Sequence, residues 1–397
     1  MTTDSAIPSL PSAAVLTEPL AGATAWVEVD LDAIRDNTAE LRRRAGSAEV
    51  LAVVKADAYG HGLVHSARAA LAGGATWLGV AQLAEAMRLR AAGVTEPLLT
   101  WLFAPGADLA AALTADVDLT VGSPWSLSEV VSAARATGRT ARIHLKVDTG
   151  LGRGGALGQG WSDLLPLAAV AQAEGAIEIV GIWSHFVFAD APDHPTVRGQ
   201  QDVFLAAVAE AGRHGIRPQY RHLANSAATL TNPSAHYDLV RPGLAIYGLS
   251  PVPDIGSPAD FGLREAMRVV GRLTLVKDSL AGQGVSYAHH YTTPTVTRLG
   301  LVPLGYSDGI PRNASSVGPV QVDGRRYAVA GRVCMDQFTL DLGPDSQAEA
   351  GDEVVIIGRG VDGEPTAQDW AEATGTINYE IVTRMGPRLP RIIKGTI

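Results

Sequence analysis

Lys55 closes an apolar run, VLAVVK, and is followed by ADAYGHG, a glycine-containing turn. An amine partly shielded from water loses affinity for its proton, which frees it to act as a nucleophile or Schiff-base partner. The plainer reading is a lysine that snorkels from a strand end. Tyr59 offers a hydroxyl to a phosphate, or is a core tyrosine with that hydroxyl satisfied. In LVRPGLAIYG, Arg241 precedes a proline and Gly243, a rigid turn that leaves backbone donors available for an anion. An arginine there suits a structural salt bridge, a phosphate clamp or a partner for a heterocycle nitrogen. The run from His222 to Ser226 carries Asn225 and Ser226, short polar groups able to orient a phosphate or to cap a helix. HLKVDTGLGRGG holds Lys146, Asp148 and Arg153, but its lysine precedes the glycines, the reverse of a Walker loop, so nucleotide hydrolysis is not expected.

Such groups need elements that bring them together. β-rich runs alternate with Ala-rich segments of helical length from about 48 to 241. The candidate strands end at Lys55 and cover 77–80, 97–102, 117–121, 141–149, 177–185, 220–225 and 237–242; candidate helices include 61–72, 82–92, 124–137 and 196–214. Eight such units are what a (β/α)8 barrel of the TIM type requires, although a doubly wound sheet gives the same local pattern. Lys55, Arg153, His185, Asn225 and Arg241 all fall at the C-terminal ends of strands, the face where barrel sites assemble. After about residue 251 the rhythm shifts to short or alternating runs with Gly and Pro turns, which predicts a mostly antiparallel β domain. Its one expected long helix, 366–374, starts on the candidate cap Thr366. The α/β fold is thus expected as a loose, flexible tail over 1–24, a barrel over 25–255 with a strand and helix lead-in, and a β domain over 256–397. Whether the lead-in strand joins the second domain is not written in its composition.

Charged residues make up 18% and apolar residues 46% of the 397 residues, a globular balance, and the formal charge of −9 disfavours nucleic-acid and anionic-membrane partners. No signal peptide, transmembrane run or metal motif is evident. Cys334 is the single cysteine, which excludes an intramolecular disulfide and suits a reducing compartment.

Read in order, AVVKADAYGHG, LKVDTGLGRGG, HLANSA, RPGLAIYG, GQGVSYAHHYT, LGYSDGIPR, GRVCMDQFTLDL and TINYEIVTRMGPRLPR resemble the motifs of alanine racemase across nearly the whole chain. The resemblance implies a cytoplasmic homodimer that uses pyridoxal 5'-phosphate to interconvert L-alanine and D-alanine, the latter for peptidoglycan. By it, Lys55 binds the cofactor and serves D-alanine, while Tyr287 of the opposite subunit serves L-alanine. Tyr59, Ser226 and Tyr379 contact the phosphate, with Asn225 and Gly243 in the same pocket. Arg241 faces the pyridine nitrogen and His185 supports it. Arg153 orients the cofactor oxygen, Tyr287 and the substrate carboxylate, with Met335 also near that carboxylate. Tyr306 lies at the entrance beside Asp336, and Lys146 matches a position that can be carbamylated to hold Arg153. A phenol ordinarily titrates near about 10, so a phenolic base needs a nearby cation, for which Arg153 is the candidate. Ala288 stands where glycine is more usual, Ser307 where alanine is, and His289 and His290 add bulk beside Tyr287. A broader amino-acid racemase, a related decarboxylase and a noncatalytic cofactor-binding protein are the alternatives.

Overall fold

A computed structural model describes residues 16–396; residues 1–15 of the expected tail lie outside the described residues. The rest of that tail is anchored rather than loose. The Leu16 carbonyl accepts from Ile393 N at 2.7 Å, and Lys394 Nζ donates to the Thr17 carbonyl at 3.1 Å.

The first strand, β1 (Ala25–Asp30), is followed by eight strands that run parallel: β2 (Glu49–Val53), β3 (Trp77–Gln82), β4 (Leu98–Leu102), β5 (Asp118–Val121), β6 (Ala141–Lys146), β7 (Ile177–Trp183), β8 (Tyr220–His222) and β9 (Leu239–Val240). Their order, β8-β7-β6-β5-β4-β3-β2-β9, winds the sheet into a barrel. The seam between β8 and β9 is bridged by Asp238 N to Arg221 O at 3.1 Å and by Arg241 N to Ala224 O at 2.9 Å. Parallel strands covered on both faces read as near-continuous apolar runs, and Val50, Leu51 and Ala52 are each wholly buried. The intervening helices turn alanines inward, as Ala67, Ala69 and Ala70 do from Leu63–Ala72. Small side chains let helix and sheet approach closely. The expected barrel is present.

The second domain is mostly antiparallel, as expected. Its six-stranded sheet runs Arg325–Ala328, Pro319–Val322, Glu353–Ile357, Met267–Arg272, β1, Arg391–Lys394. β1 therefore belongs to this sheet, pairing antiparallel with Met267–Arg272 and parallel with Arg391–Lys394. The pattern AWVEVD encodes a strand but not its partners, which come from far along the chain. A three-stranded sheet (Leu275–Ser279, Thr297–Val302, Phe338–Gly343) and a short hairpin, Gly284–Val285 with Tyr291–Thr292, complete the domain. Thr366 caps the helix Ala367–Thr374 in a reciprocal arrangement with Asp369.

Candidate active site

The chain leaves β2 and turns through Lys55 in an unusual way. Ala56, Asp57, Ala58 and Tyr59 have φ of 55, 52, 57 and 53°, a run of left-handed residues that ends on Gly60 at 82°. Each non-glycine residue there costs about 1–2 kcal/mol relative to a right-handed turn, so the surroundings must over-determine the shape. They do so from both domains. The Glu85 carboxylate accepts from Ala56 N, and Asp57 accepts from Leu63 N at 3.1 Å and pairs with Arg88 at 3.1 Å. From the second domain, Arg391 donates to the Gly60 carbonyl at 3.0 and 2.9 Å. A Cβ on Gly60 would stand 2.6 Å from the Val382 carbonyl, so only glycine fits.

This turn fixes Lys55 and Tyr59 at the barrel mouth, with the Lys55 amine 5.9 Å from the Tyr59 ring centroid. Burial, and then the Arg153 charge, lower the proton affinity of Lys55. Tyr59 packs on Tyr247 and Tyr379, and a Cβ at Gly243 would come within 2.3 Å of the Tyr59 hydroxyl. Ser226 Oγ accepts from Gly243 N at 2.8 Å and Ala245 N at 3.3 Å, which draws HLANSA and RPGLAIYG together. Asn225 caps the short helix Ser226–Thr231 by accepting from Ala228 N, so the capping reading of that residue holds. Tyr379 enters from the helix Asn378–Thr383 of the second domain, an element too short to stand out in the sequence.

Arg241 is only 5% exposed and has no carboxylate partner among the described residues, which excludes the salt-bridge reading. Its guanidinium instead donates to the Ser184 carbonyl at 2.8 Å and lies near His222 Nδ1 at 3.3 Å and His185 Nδ1 at 3.4 Å, over the Trp183 ring. Burial pulls its pKa down to about 9. His185 is held well below its ordinary range by burial, then by Arg241, Arg153, Lys146 and Lys55. Lys146 is lowered to about 8 by burial and by the charges of Arg153 and Arg241, and its ammonium sits 4.5 Å from the Trp183 centroid. Arg153 projects from a loop wound around Asp148, whose carboxylate accepts from Gly150, Gly152 and Arg153 backbone N–H at 2.9–3.2 Å. Four cations thus converge on one mouth of a chain whose formal charge is −9. Such a site suits an anionic ligand.

The other expected residues gather elsewhere. Tyr287, Tyr306 and Met335, exposed by 70, 40 and 54%, lie on the second domain. Tyr287 tops the hairpin, held there by Ser286 and Ala288 at φ 62 and 60°. Ser286 Oγ donates to the Arg332 carbonyl, and Tyr306 N to the Cys334 carbonyl, so the Tyr287, Tyr306 and Met335 segments form one patch. Asp336 is tied to Arg388 at 2.7 Å, whose hydrogen bond holds it below the usual carboxylate range. Ser307 donates to the Met335 carbonyl at 2.7 Å, a bond that alanine could not make. His289 folds back over Gly284 of the hairpin, and His290 reaches Ser316 outside it at 3.2 Å. No hydrogen bond, ion pair or ring contact among the described residues joins Tyr287 to Lys55.

Sequence reasoning passed over Glu85, Trp183 and Ser184, because the Glu85 carboxylate serves a backbone N–H far along the chain, Ser184 acts through its carbonyl and Trp183 through its ring face. His222 was visible in HLANSA but gave no sign of its partners.

Comparison with known proteins gives a consistent result. The model of the alanine racemase N-terminal domain matches residues 29–251, and that of the C-terminal domain matches 266–393. The alanine racemase of Frankia casuarinae is 58% identical over 382 residues, covering 95% of this chain and 99% of its own. That of Beutenbergia cavernae is 59% identical over 367 residues, covering 92% and 97%. The crystal structure of alanine racemase from D-cycloserine-producing Streptomyces lavendulae superposes with a TM-score of 0.93 at 54% identity, covering 94% of this chain and 98% of that one. The Bacillus anthracis enzyme with bound L-Ala-P gives 0.86 at 36% identity, covering 94% and 95%.

Proposed function

The chain belongs to the alanine racemase family and interconverts L-alanine and D-alanine, and we propose that it does so as a pyridoxal 5'-phosphate-dependent homodimer with Lys55 and Tyr287 as its two bases. The observation that carries this reading is the barrel mouth: an amine of lowered proton affinity sharing it with a buried arginine that has no carboxylate partner among the described residues. The donor set fits the cofactor. Tyr59, Ser226, Tyr379 and the Gly243 backbone, with Asn225 beside them, would hold the phosphate, and Lys55 would take the aldehyde carbon. When bound, the cofactor supplies an electron sink that acidifies the substrate Cα–H bond.

The chain's own groups do the rest. Lys55 moves the proton on the face that D-alanine presents, and Tyr287 moves it on the face that L-alanine presents. Arg153 draws in the substrate carboxylate and, as a nearby cation, favours the phenolate of Tyr287. A guanidinium only donates, so Arg241, braced by His185, would keep a cofactor ring nitrogen held against it unprotonated. Tyr306, Met335 and Asp336 narrow the approach to a small side chain. Lys146, lowered to about 8, has an accessible free amine; addition of carbon dioxide releases a proton and leaves a carbamate that would pair with Arg153. D-alanine made this way would serve peptidoglycan synthesis. A cytoplasmic location belongs to the same reading and suits the single cysteine; among the described residues no helix is long and apolar enough to cross a membrane.

That no hydrogen bond, ion pair or ring contact among the described residues joins Tyr287 to Lys55 supports shared sites between two copies. Mixing Lys55→Ala with Tyr287→Phe, each inactive alone, tests this. Shared sites give heterodimers with one intact centre, so random assortment restores about a quarter of native activity. Sites complete within one chain would restore nothing.

A further inference from the structure

Behind Arg241 a row of buried polar groups crosses the barrel, and the reaction described above leaves it without a task. His222, on β8, has Nδ1 3.3 Å from Arg241 Nη1 and Nε2 2.9 Å from His144 Nδ1. His144, on β6, has Nε2 3.4 Å from Asp118 Oδ2, within ion-pair range but outside hydrogen-bond geometry, and neither atom has a hydrogen-bond partner among the described residues. Asp118 opens β5, and its Oδ1 accepts from Arg142 Nε at 3.0 Å. Both histidines are wholly buried. The row is built to shape: a Cβ at Gly181 would strike His144 Nδ1 at 2.3 Å, and the Trp183 ring stacks parallel to His222.

The ends of the row cannot reverse. A guanidinium has no acceptor, so His222 Nδ1 must present its lone pair. Burial and the Arg241 charge keep the His222 ring neutral, which puts its single proton on Nε2. That proton is donated to His144 Nδ1, so His144 carries its own on Nε2, facing a carboxylate that only accepts. Each ring has one permitted tautomer, with its negative end toward Arg241.

We propose that Asp118 and His144 are positioning residues for Arg241, locking His222 in the tautomer that accepts from the guanidinium and so aiming the remaining Arg241 donors at the cofactor ring nitrogen. This rests on the reading in which Arg241 faces that nitrogen. Core histidines that only fill space would be indifferent to polarity. Asp118→Asn separates the two roles because it keeps shape and changes direction. Arg142 can only donate, so the amide oxygen turns to it and the amide NH2 turns to His144. The row then reverses, and His222 presents N–H to the N–H of Arg241. A carboxylate-to-amide change acts through a wrong tautomer in the same way in the Ser-His-Asp triad.

The test is 15N NMR of the histidine rings in the pyridoxal phosphate-loaded enzyme, with alanine kinetics alongside. In the native chain both rings should be protonated at Nε2 and bare at Nδ1. In Asp118→Asn the His222 proton should move to Nδ1 and kcat should fall roughly 10–100-fold, with KM for alanine changed less than about twofold. The resonance of the labelled cofactor ring nitrogen should move as well. A native His222 protonated at Nδ1 overturns the proposal without any variant, which covers a variant that fails to fold. Reversed tautomers with unchanged kcat overturn it too. Reversed tautomers and lowered kcat, with a ring-nitrogen resonance that moves neither there nor in Arg241→Lys, leave the positioning of Arg241 standing. That result would show instead that Arg241 does not face the ring.

Discussion

The barrel mouth and the exposed face of the second domain hold the two halves of the proposed chemistry in different physical states. At the mouth, Lys55 rides a left-handed turn braced by Glu85, Arg88 and Arg391, and Arg241 is held by two histidines and a backbone carbonyl. On the second domain, Tyr287 and Met335 stand mostly in solvent on short loops. The mouth is braced largely within one chain, because buried cations need partners for their donors. The patch is ordered by its backbone yet uncovered. The difference teaches where precision is stored: in the half that, on the proposed reading, keeps a charged cofactor in register. On the same reading the other half gains its environment on contact with a second copy of the chain.

Paired substitutions sharpen this contrast most. Lys55→Ala should abolish racemisation and the visible absorbance that follows addition of pyridoxal phosphate, whereas Tyr287→Phe should lower turnover roughly 10²–10⁴-fold and leave that absorbance intact. Loss of absorbance in Tyr287→Phe would place the phenol among the cofactor-holding groups and break the division. Gly60→Ala comes next: with φ at 82° and the Val382 carbonyl in its way, it should cost about 2–3 kcal/mol in chemical denaturation and weaken cofactor retention. On the exposed patch, Met335→Ala should change stability by less than about 0.5 kcal/mol, yet shift alanine-over-serine discrimination by about 1–3 kcal/mol in kcat/KM. A large stability loss there would mean that the patch is part of a folded core. The smallest effect concerns Lys146. Its pKa is depressed on folding, so the burial penalty is fully present below about 8 and relieved as pH rises through that value. With 13C-labelled bicarbonate, a carbamate signal that is absent in Lys146→Met should strengthen as pH rises toward about 8.

Much of this was legible before any coordinates. The strand ends carrying Lys55, His185 and Arg241 were plain because a parallel barrel needs continuous apolar runs, and polar residues that interrupt them stand out. Thr366 was legible as a cap because its reciprocal partner, Asp369, lies within the same turn. The helix Gln159–Ala173 is not among the helices named from the sequence, and Pro166 interrupts its pattern.

Local chemistry and periodicity therefore marked Lys55 and Arg241 as groups able to do chemistry and showed which segments are strands or helices, because those signals are carried by neighbours in the chain. Tyr287 rested on the family resemblance alone. Only the tertiary structure decided that β1 joins the last strand, that Ala56 to Tyr59 turn left-handed, and that Asp118 and His144 line up behind Arg241. Each of these depends on partners far apart in sequence, whose meeting is fixed by barrel closure and domain docking rather than by any pattern along the chain.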